Sequence, residues 1–285
     1  MTPSRDARLP AVALVVCTRN RASRLPALFE SLARLHTDHH WELVMVDSAS
    51  TDDTPAVLAE ANNGSALPTR TVRVEQAGLA RARNAGISAA RAPVIAFMDD
   101  DCYPEPDLLD RWLEVFTNEK VGYGGGRIML HDERDAAVTI RTDAKPWIFR
   151  PGDYVRPGVV QGANIALRRA VLEAVGGFTE AIGPGTPFNF EDVDVVARAS
   201  AAGYTGGYFP GPTVRHHHGR RPGPELDSLL ESYDIGRGAY WGTLLKRRGY
   251  RRYAIGGLVA SLMTKPWPVV KREVQGMKSW LRIDD

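Results

Sequence analysis

The sequence predicts an α/β fold in which helices cover both faces of a mostly parallel central sheet. Three observations lead to this prediction. Short, continuously apolar runs alternate with amphipathic stretches over the first 120 residues, as expected for buried strands that alternate with helices. Turn and capping residues separate the two kinds of segment. A length of 285 residues and a hydrophobic content of 44% are sufficient for one large domain or two small ones.

Four strand–helix pairs are predicted in the first half of the chain. The strands cover 11–16, 42–46, 71–74 and 94–98, and the helices cover 24–35, 54–61, 79–92 and 106–116. In the first helix Leu25, Leu28 and Leu32 recur at helical spacing and therefore share one face. Pro93 ends the Ala-rich third helix. Because each helix carries the chain back across the sheet, these strands run parallel, and ligands are expected at their carboxyl ends.

The second half of the chain is less regular. Strands are predicted at 121–130, where glycines indicate bulges, at 159–168 and at 207–214, and helices at 169–175 and 191–202. The glycine- and proline-rich residues 180–190 are expected to form a mobile loop. Residues 225–285 are expected to be mainly helical. Within them, residues 240–285 carry ten Lys and Arg against three Asp and Glu, so this end of the chain is strongly basic.

Composition and charge argue against several classes of protein. A formal net charge of +2 gives no overall case for a nucleic-acid-binding protein. The two cysteines, Cys17 and Cys102, are too few for a disulfide scaffold or a four-cysteine zinc site. The first 21 residues lack the features of a signal peptide, and no apolar run reaches the ~18 residues that a membrane span requires. We therefore expect a cytoplasmic protein.

Three adjacent carboxylates, Asp99, Asp100 and Asp101, follow the predicted strand 94–98. Their mutual repulsion and the cost of burying them call for a counter-charge. In an extended chain Asp99 and Asp101 point to the same side, roughly 6–7 Å apart. A divalent cation with its water ligands and a phosphate would satisfy such a site. The alternative is a solvated turn before Pro104.

Polar residues also follow the second predicted strand and begin the third helix. Asp47 ends the strand, where it would accept hydrogen bonds from a base or a ribose or, alternatively, form a local turn. An arginine of the segment 81–84 that faces the crevice would pair with phosphate or base. At least one of Arg81 and Arg83 is expected on a solvated helix face instead.

Glu191 and Asp192 begin the helix that follows the loop 180–190. Asp192 is a candidate general base, because a base for a hydroxyl must be unprotonated at neutral pH and within reach of the acceptor oxygen. Helix capping is the alternative for this pair, and Asp194 is expected to be structural.

Two further patterns are weaker. The three histidines 216–218 follow a predicted strand, so one of them is a candidate ligand for a cation or a diphosphate, and a surface turn is the alternative. The stretch GYGGGR (122–127) lacks the lysine and hydroxyl residue of a P-loop, and no dinucleotide fingerprint follows the first strand.

Taken in order, these stretches resemble the inverting family 2 glycosyltransferases of the GT-A fold over about residues 10–220. The matching motifs are VVCTRNR (15–21), ELVMVDSASTDDT (42–54), GLARARNAGISAARAPVIAFMDDDC (78–102), VQGANIALRRAVLEAVGGF (160–178) and FNFEDVDVVARASAAGY (188–204). Each motif alone is a weak indication, whereas the ordered set with these spacings is specific.

The resemblance implies a role for each matching residue. Asp192 matches the Asp of the family's E-D motif, the catalytic base. Asp99 and Asp101 match the D-x-D carboxylates that hold Mn²⁺ or Mg²⁺. The histidine cluster is less regular in the family: His218 is placed with the metal, and which of His216, His217 and His218 enters the site stays open. The donor is expected to contact Thr18, Arg19, Asp47, Ser48, Arg81, Asn84, Asp99, Asp100, Gly162 and Asn164. The implied reaction moves a sugar from a nucleotide-diphosphate donor, most commonly a UDP-sugar, to an acceptor hydroxyl with inversion.

The same interpretation divides the chain into two parts. Residues 1–224 form the GT-A catalytic domain, with a nucleotide-binding part at about 10–120 and an acceptor part at about 121–224. Residues 225–285 form a helical basic extension. The acceptor is a glycan, a lipid-linked molecule or a small molecule, and an oligomer is left open. No nucleic-acid partner is expected.

Within the extension, residues 246–272 have a weakly charged centre between basic flanks. The centre is too short to span a bilayer but suited to the surface of an anionic membrane, at the inner face of which the protein would be peripheral. The alternative is a basic helix that packs on the domain or mediates oligomerisation.

Two other functions are weighed against the transferase. A sugar-phosphate nucleotidyltransferase would carry a glycine-rich basic loop after its first strand, whereas TRNRASRLP (18–26) contains no glycine. A non-catalytic nucleotide-sugar-binding protein would be favoured by loss of the base or of the acidic triplet, and both are present.

Overall fold

A nine-stranded sheet forms the centre of the molecule in a computed structural model that describes residues 9–64 and 67–283. The strands are β1 (Val12–Thr18), β2 (Trp41–Ser48), β3 (Thr69–Val74), β4 (Val94–Asp99), β5 (Cys102–Pro104), β6 (Val121–Leu130), β7 (Trp147–Phe149), β8 (Asn164–Arg168) and β9 (Thr205–His216). They lie in the order β3-β2-β1-β4-β8-β6-β9-β5, and β7 pairs with β9. Residues 1–8, 65–66 and 284–285 of the predicted catalytic domain and extension lie outside the described part.

The first four strands confirm the predicted parallel arrangement. β1 pairs in parallel with β2 and β4, and β2 pairs in parallel with β3. The connecting helices are α1 (Leu25–Leu32), α2 (Thr54–Gly64), α3 (Leu79–Ala89) and α4 (Leu108–Val115). In register, Cys17 lies beside Asp99, and Thr18 lies beside Asp47. The polar residues that end β1, β2 and β4 therefore meet at one edge of the sheet.

The other part of the sheet is mixed, which differs from a mostly parallel prediction. β8 is antiparallel to both β4 and β6, and β9 is parallel to β6 but antiparallel to β5 and β7. β8 also starts later than the predicted strand 159–168, because residues 159–163 form turns after Gly158, whose φ is +82°. Two helices, α5 (Arg169–Val175) and α6 (Glu191–Ala201), connect β8 to β9.

The predicted helical extension consists of α7 (Pro224–Lys246), α8 (Arg251–Thr264) and α9 (Trp267–Leu281). α7 and α9 approach each other closely at two glycines. A Cβ atom on Gly238 would lie 1.8 Å from the carbonyl oxygen of Glu273, and one on Gly276 would lie 2.0 Å from the carbonyl oxygen of Ile235. No larger residue fits at either contact without moving one helix.

The extension packs on the preceding part of the chain through aromatic residues. Phe188 and Phe190 meet the ring of Trp280 edge-on, each at a centroid distance of 5.4 Å. The hydroxyl of Tyr240 donates a hydrogen bond of 2.9 Å to the carbonyl of Val155. Since Phe190 directly precedes α6, the extension supports the loop that leads to Glu191 and Asp192.

Candidate active site

A cavity of about 910 Å³ is lined by the ends of β1 and β4, the start of α6 and one face of α7. Its lining includes the acidic triplet and the candidate base. Eight of the sequence-predicted residues line it, namely Thr18, Arg19, Ser48, Asp99, Asp100, Asp101, Gly162 and Asp192. The acidic triplet and the candidate base therefore face one common space, although they are far apart in the sequence.

Hydrogen bonds and charges organise the acidic edge of this cavity. Thr18 Oγ1 donates a hydrogen bond of 2.6 Å to Asp100, and the Arg21 guanidinium lies 3.7 Å from Asp100 and 3.9 Å from Asp101. Burial raises the pKa of Asp100 to about 6, against the opposing effects of Thr18 and Arg21. Burial also acts on Asp101, but the hydrogen bond and charge of His216 outweigh it and lower the pKa of Asp101.

The side chains at this edge fit a divalent cation. Ligand atoms of Asp101, Cys102 and His216 lie within 4.8 Å of one another. His216 Nε2 lies 3.1 Å from Asp101 Oδ1, while Thr139 Oγ1 lies 3.3 Å from His216 Nδ1 and orients the ring. Burial raises the pKa of Cys102 well above its ordinary value, so its thiol stays protonated and is a poor ligand for a hard cation. Asp101 and His216 remain as candidate ligands from this group, and Asp99, which lines the same cavity, is the third candidate.

The structure places His216, and not the predicted His218, beside Asp101. Both ring nitrogens of His218 are engaged by the backbone, since Nδ1 accepts the N–H of Arg220 at 3.0 Å and Nε2 lies 3.1 Å from the carbonyl oxygen of Ala136. Burial lowers the pKa of His218, which favours its neutral form. The end of β9 explains the difference, because His216 is the last residue of the strand and pairs with Cys102, whereas His218 lies beyond the strand.

Of the two candidate arginines, Arg83 enters the cavity and Arg81 does not. Arg83 is buried and donates to Glu191 at 3.0 Å, to Asp99 at 3.4 Å and to the carbonyl of Gly162 at 3.1 Å. Burial raises the pKa of Asp99, and the positive charge of Arg83 acts against this shift. One guanidinium therefore joins the acidic edge to the start of α6.

Arg81 and Asn84 have other contacts on α3. Arg81 forms an exposed ion pair of 2.9 Å with Glu180. Asn84 donates its amide N–H to the carbonyl of Phe178 and accepts the backbone N–H of the same residue, both at 2.8 Å. Neither side chain lines the cavity, and both bind the segment around Phe178 to α3. Successive helix positions are rotated by about 100°, so Arg81 and Arg83, two residues apart, point to nearly opposite sides of α3.

Asp47 is buried and does not line the cavity. Its Oδ1 accepts the backbone N–H of Ser50 at 3.0 Å, and its Oδ2 is paired with the guanidinium of Arg73. Its neighbour Ser48 does line the cavity and accepts the backbone N–H of Gly78 at 3.1 Å. The local turn that was the alternative for Asp47 is thus present.

Asn164 is also buried outside the cavity lining. Its amide nitrogen donates to the carbonyl oxygens of Arg127 at 3.0 Å and Pro212 at 3.1 Å. These two bonds tie the start of β8 to β6 and β9. The segment that contains Gly162 is held in position by them.

The two carboxylates of the Glu–Asp pair have different surroundings. Asp192 accepts the backbone N–H of Gly162 at 2.8 Å and that of Val193 at 2.7 Å, so each of its two oxygens has a hydrogen-bond donor. Glu191 is buried against Arg83. Burial and the charge of Asp192 raise the pKa of Glu191 to about 7. Asp192 is the more accessible of the two and is the better candidate for proton abstraction.

Sequence reasoning missed the contribution of α7 to the cavity. Leu229, Tyr233 and Arg237 recur at intervals of four, which places them on one helix face, and all three line the cavity. Arg220, in the segment before α7, lines it as well and forms no ion pair with any residue in the described ranges. The interval of four is visible in the sequence, but it does not reveal which side of the sheet the helix covers.

The arrangement provides the parts of a group-transfer site. Candidate oxygen and nitrogen ligands for a cation lie at one edge, and the hydrogen-bonded carboxylate of Asp192 lies at the start of α6. Among the residues that the structure describes, no helix combines the length and apolar character needed to cross a bilayer.

Comparison with known proteins identifies the family. The family model for glycosyl transferase family 2 matches residues 13–176, which is more than half of the chain. Glycosyltransferase AglE of Haloferax volcanii is 25% identical over 249 residues, covering 86% of this chain and 78% of the relative.

Two solved structures share the fold. The mannosyltransferase PcManGT from Pyrobaculum calidifontis, in complex with GDP-Man and Mn²⁺, aligns with a TM-score of 0.66 at 18% identity and covers 96% of this chain and 84% of its own. TarS 1-349 from S. aureus, in complex with UDP-GlcNAc, aligns with a TM-score of 0.61 at 18% identity, covering 82% and 66% respectively. The chain belongs to glycosyl transferase family 2 and is a glycosyltransferase with the GT-A fold.

Proposed function

We propose that this glycosyltransferase is metal-dependent and inverting, and that it moves a sugar from a nucleoside diphosphate donor to an acceptor hydroxyl. One observation carries the proposal. Asp192 lines the same cavity as Asp99 and Asp101, so a base and a cation site have access to one substrate. A single displacement needs both groups and no covalent nucleophile.

Asp99, Asp101 and His216 are the proposed ligands of Mn²⁺ or Mg²⁺. When bound, the cation would neutralise the charge that develops on the leaving diphosphate. Arg220 lines the same cavity without an ion pair to any described residue, and its guanidinium is the proposed partner of a phosphate oxygen. PcManGT, the neighbour solved with a donor and Mn²⁺, supports this choice of metal.

Asp192 is the proposed general base. Its two hydrogen bonds from Gly162 and Val193 hold the carboxylate, and each oxygen keeps a further lone pair that can accept a proton. It would accept the proton of the acceptor hydroxyl as the oxygen attacks the anomeric carbon. The new bond forms on the side opposite to the departing diphosphate, so the anomeric configuration inverts.

The proposed donor is a nucleoside diphosphate sugar, with UDP as the first choice of nucleotide. Thr18, Arg19 and Ser48 stand at the ends of β1 and β2, where a nucleotide would lie in a parallel sheet. Asp47 would shape the base pocket through its contacts to Ser50 and Arg73. The neighbours solved with GDP-Man and UDP-GlcNAc support the donor class without selecting a sugar.

The proposed cellular location is the cytoplasm. Both Cys17 and Cys102 are free thiols, which agrees with a reducing compartment. The acceptor remains a hydroxyl compound, either a glycan, a lipid-linked molecule or a small molecule.

A donor screen followed by product analysis tests the proposal. UDP-, GDP- and dTDP-sugars are compared by thermal shift with Mn²⁺ and with EDTA, and we expect one donor to raise Tm only when Mn²⁺ is present. Incubation with that donor should release the nucleoside diphosphate slowly, even without acceptor. Release of pyrophosphate from a nucleoside triphosphate would instead identify a nucleotidyltransferase, and donor binding without any turnover would identify a non-catalytic binding protein.

A further inference from the structure

Helix α8 has an unusual distribution of side chains around its axis. Its buried positions carry the small residues Ala254 and Ser261. Gly257 packs against α7, where a Cβ atom would lie 2.7 Å from Nε1 of Trp241. These small residues allow α8 to lie close to α7. The large apolar side chains of α8 are therefore available on its other side.

The outer face of α8 is apolar and exposed. Ile255, Val259, Leu262 and Met263 recur at helical spacing, and their exposed fractions are 58%, 47%, 55% and 80%. Trp267, which begins α9, is 61% exposed. We call these five residues the α8 patch. A helix that presents large apolar side chains to solvent and small ones to its neighbours is suited to an apolar partner outside the chain.

The segment of the chain that contains the α8 patch carries positive charge and no negative charge of its own. Residues 246–272 contain eight Lys and Arg and no Asp or Glu. Arg248, Arg251 and Arg252 are exposed and form no ion pair with residues 9–64 or 67–283. The paired cations of the extension point inward, as Lys265 does toward Glu273 at 2.7 Å. The free positive charge is thus concentrated beside the exposed apolar side chains.

We propose that the α8 patch docks on the surface of an anionic lipid bilayer, with α8 parallel to the membrane plane. Arg251 and Arg252 occupy the first turn of α8 and would contact lipid phosphates, while the apolar side chains enter the interface. α8 has 14 residues, too few to span a bilayer. A second copy of the chain is the poorer partner, because residues 246–272 contain no Asp or Glu that could pair with Arg251 and Arg252 in a symmetric contact of two such segments. This inference is independent of the proposed donor and metal.

Vesicle co-sedimentation of the full chain tests the proposal. We expect binding to phosphatidylcholine vesicles that contain phosphatidylglycerol, little binding to phosphatidylcholine alone, and weakening by salt. Each basic side chain near an anionic surface contributes a factor of roughly five in binding, so Arg251→Gln with Arg252→Gln should weaken partitioning about 25-fold. Val259→Ser with Leu262→Ser should weaken partitioning by at least about tenfold, because less apolar area enters the membrane interface.

A matched control makes the same charge change elsewhere. Arg70 and Lys120 are exposed outside the extension, so Arg70→Gln with Lys120→Gln should retain wild-type binding. Equal loss in the control, or no binding of the wild-type chain to anionic vesicles, overturns the proposal. Sedimentation velocity without lipid provides a further check: a dimer that Val259→Ser with Leu262→Ser dissociates, combined with absent vesicle binding, would assign the patch to a second copy.

Discussion

Gly162 donates its backbone N–H to Oδ2 of Asp192 at 2.8 Å. The carbonyl of the same glycine accepts a hydrogen bond from Arg83, which also reaches Asp99. One residue between β8 and the preceding turn is therefore linked to both the candidate base and the acidic edge. A Cβ at Gly162 would lie 2.6 Å from an Arg83 nitrogen, which explains why a glycine fits here.

Replacement of Asp192 by Asn tests the general base. The amide oxygen can still accept the N–H of Gly162, so the fold and the donor site should persist. Without a base, transfer should fall by about 10²–10⁴-fold, while the Kd for the donor changes by no more than a few fold. Single-turnover kinetics and donor titration measure the two quantities. Undiminished turnover in D192N would remove this residue from the mechanism.

The histidine assignment is tested by two single variants. His216→Ala removes a proposed ligand beside Asp101 and should weaken Mn²⁺ binding by at least about tenfold, as should Asp101→Ala. His218→Ala should leave the Kd for Mn²⁺ unchanged but lower the free energy of unfolding by about 1–3 kcal/mol, because two backbone groups lose their partner. Calorimetric titration with Mn²⁺ and urea unfolding separate the outcomes. Weaker Mn²⁺ binding in His218→Ala, with an unchanged Kd in His216→Ala, would identify His218 as the ligand instead.

Arg83 and Arg81 form a matched pair on α3. Arg83→Ala leaves Glu191 buried without its cation and should lower the free energy of unfolding by about 3–5 kcal/mol. Arg81→Ala breaks an exposed ion pair with Glu180 and should cost at most about 1 kcal/mol. Urea unfolding measures both. Similar values for the two variants would contradict the bridging position of Arg83.

The pH dependence of donor binding tests the environment of Asp100. Its pKa is raised to about 6, so the carboxyl takes up a proton as the pH falls through that value, and Mn²⁺-dependent donor binding should weaken below it. Thr18→Val removes a hydrogen bond that favours the charged form, and it should move this acid limb upward by up to about one pH unit. Thr18→Ser keeps the hydroxyl and should retain the wild-type profile. Coincident profiles for all three proteins would contradict this role of Thr18.

The regular part of the fold could be predicted because its residues follow simple periodic rules. β1 and β4 are continuous apolar runs, and α1 and α4 have well-defined apolar faces, so their order identified the parallel half of the sheet. The three-residue strands β5 and β7 escaped prediction. They exist because β9 offers them a backbone edge, and this partner lies far away in the sequence.

Site residues could be predicted where they follow the end of a strand. They were harder to predict where the face of a helix determines whether a side chain reaches the cavity. Asp99, Asp100 and Asp101 follow β4, and the register of the sheet brings them to Thr18. Which of Arg81 and Arg83 enters the cavity depends on the rotation of α3 about its axis, and tertiary packing determines that rotation. Tyr233 and Arg237 line the cavity because of the position at which α7 packs, and no local sequence pattern predicts that position.

The contacts of α7 and α9 limit how far this enzyme can be truncated from its C-terminal end. Trimming the polypeptide after residue 224 would strip the covering from Phe188 and Phe190, which now rest on Trp280. It would also delete one wall of the substrate chamber, since Tyr233 and Arg237 would go with it. A minimal transferase made from this sequence must retain its last three helices.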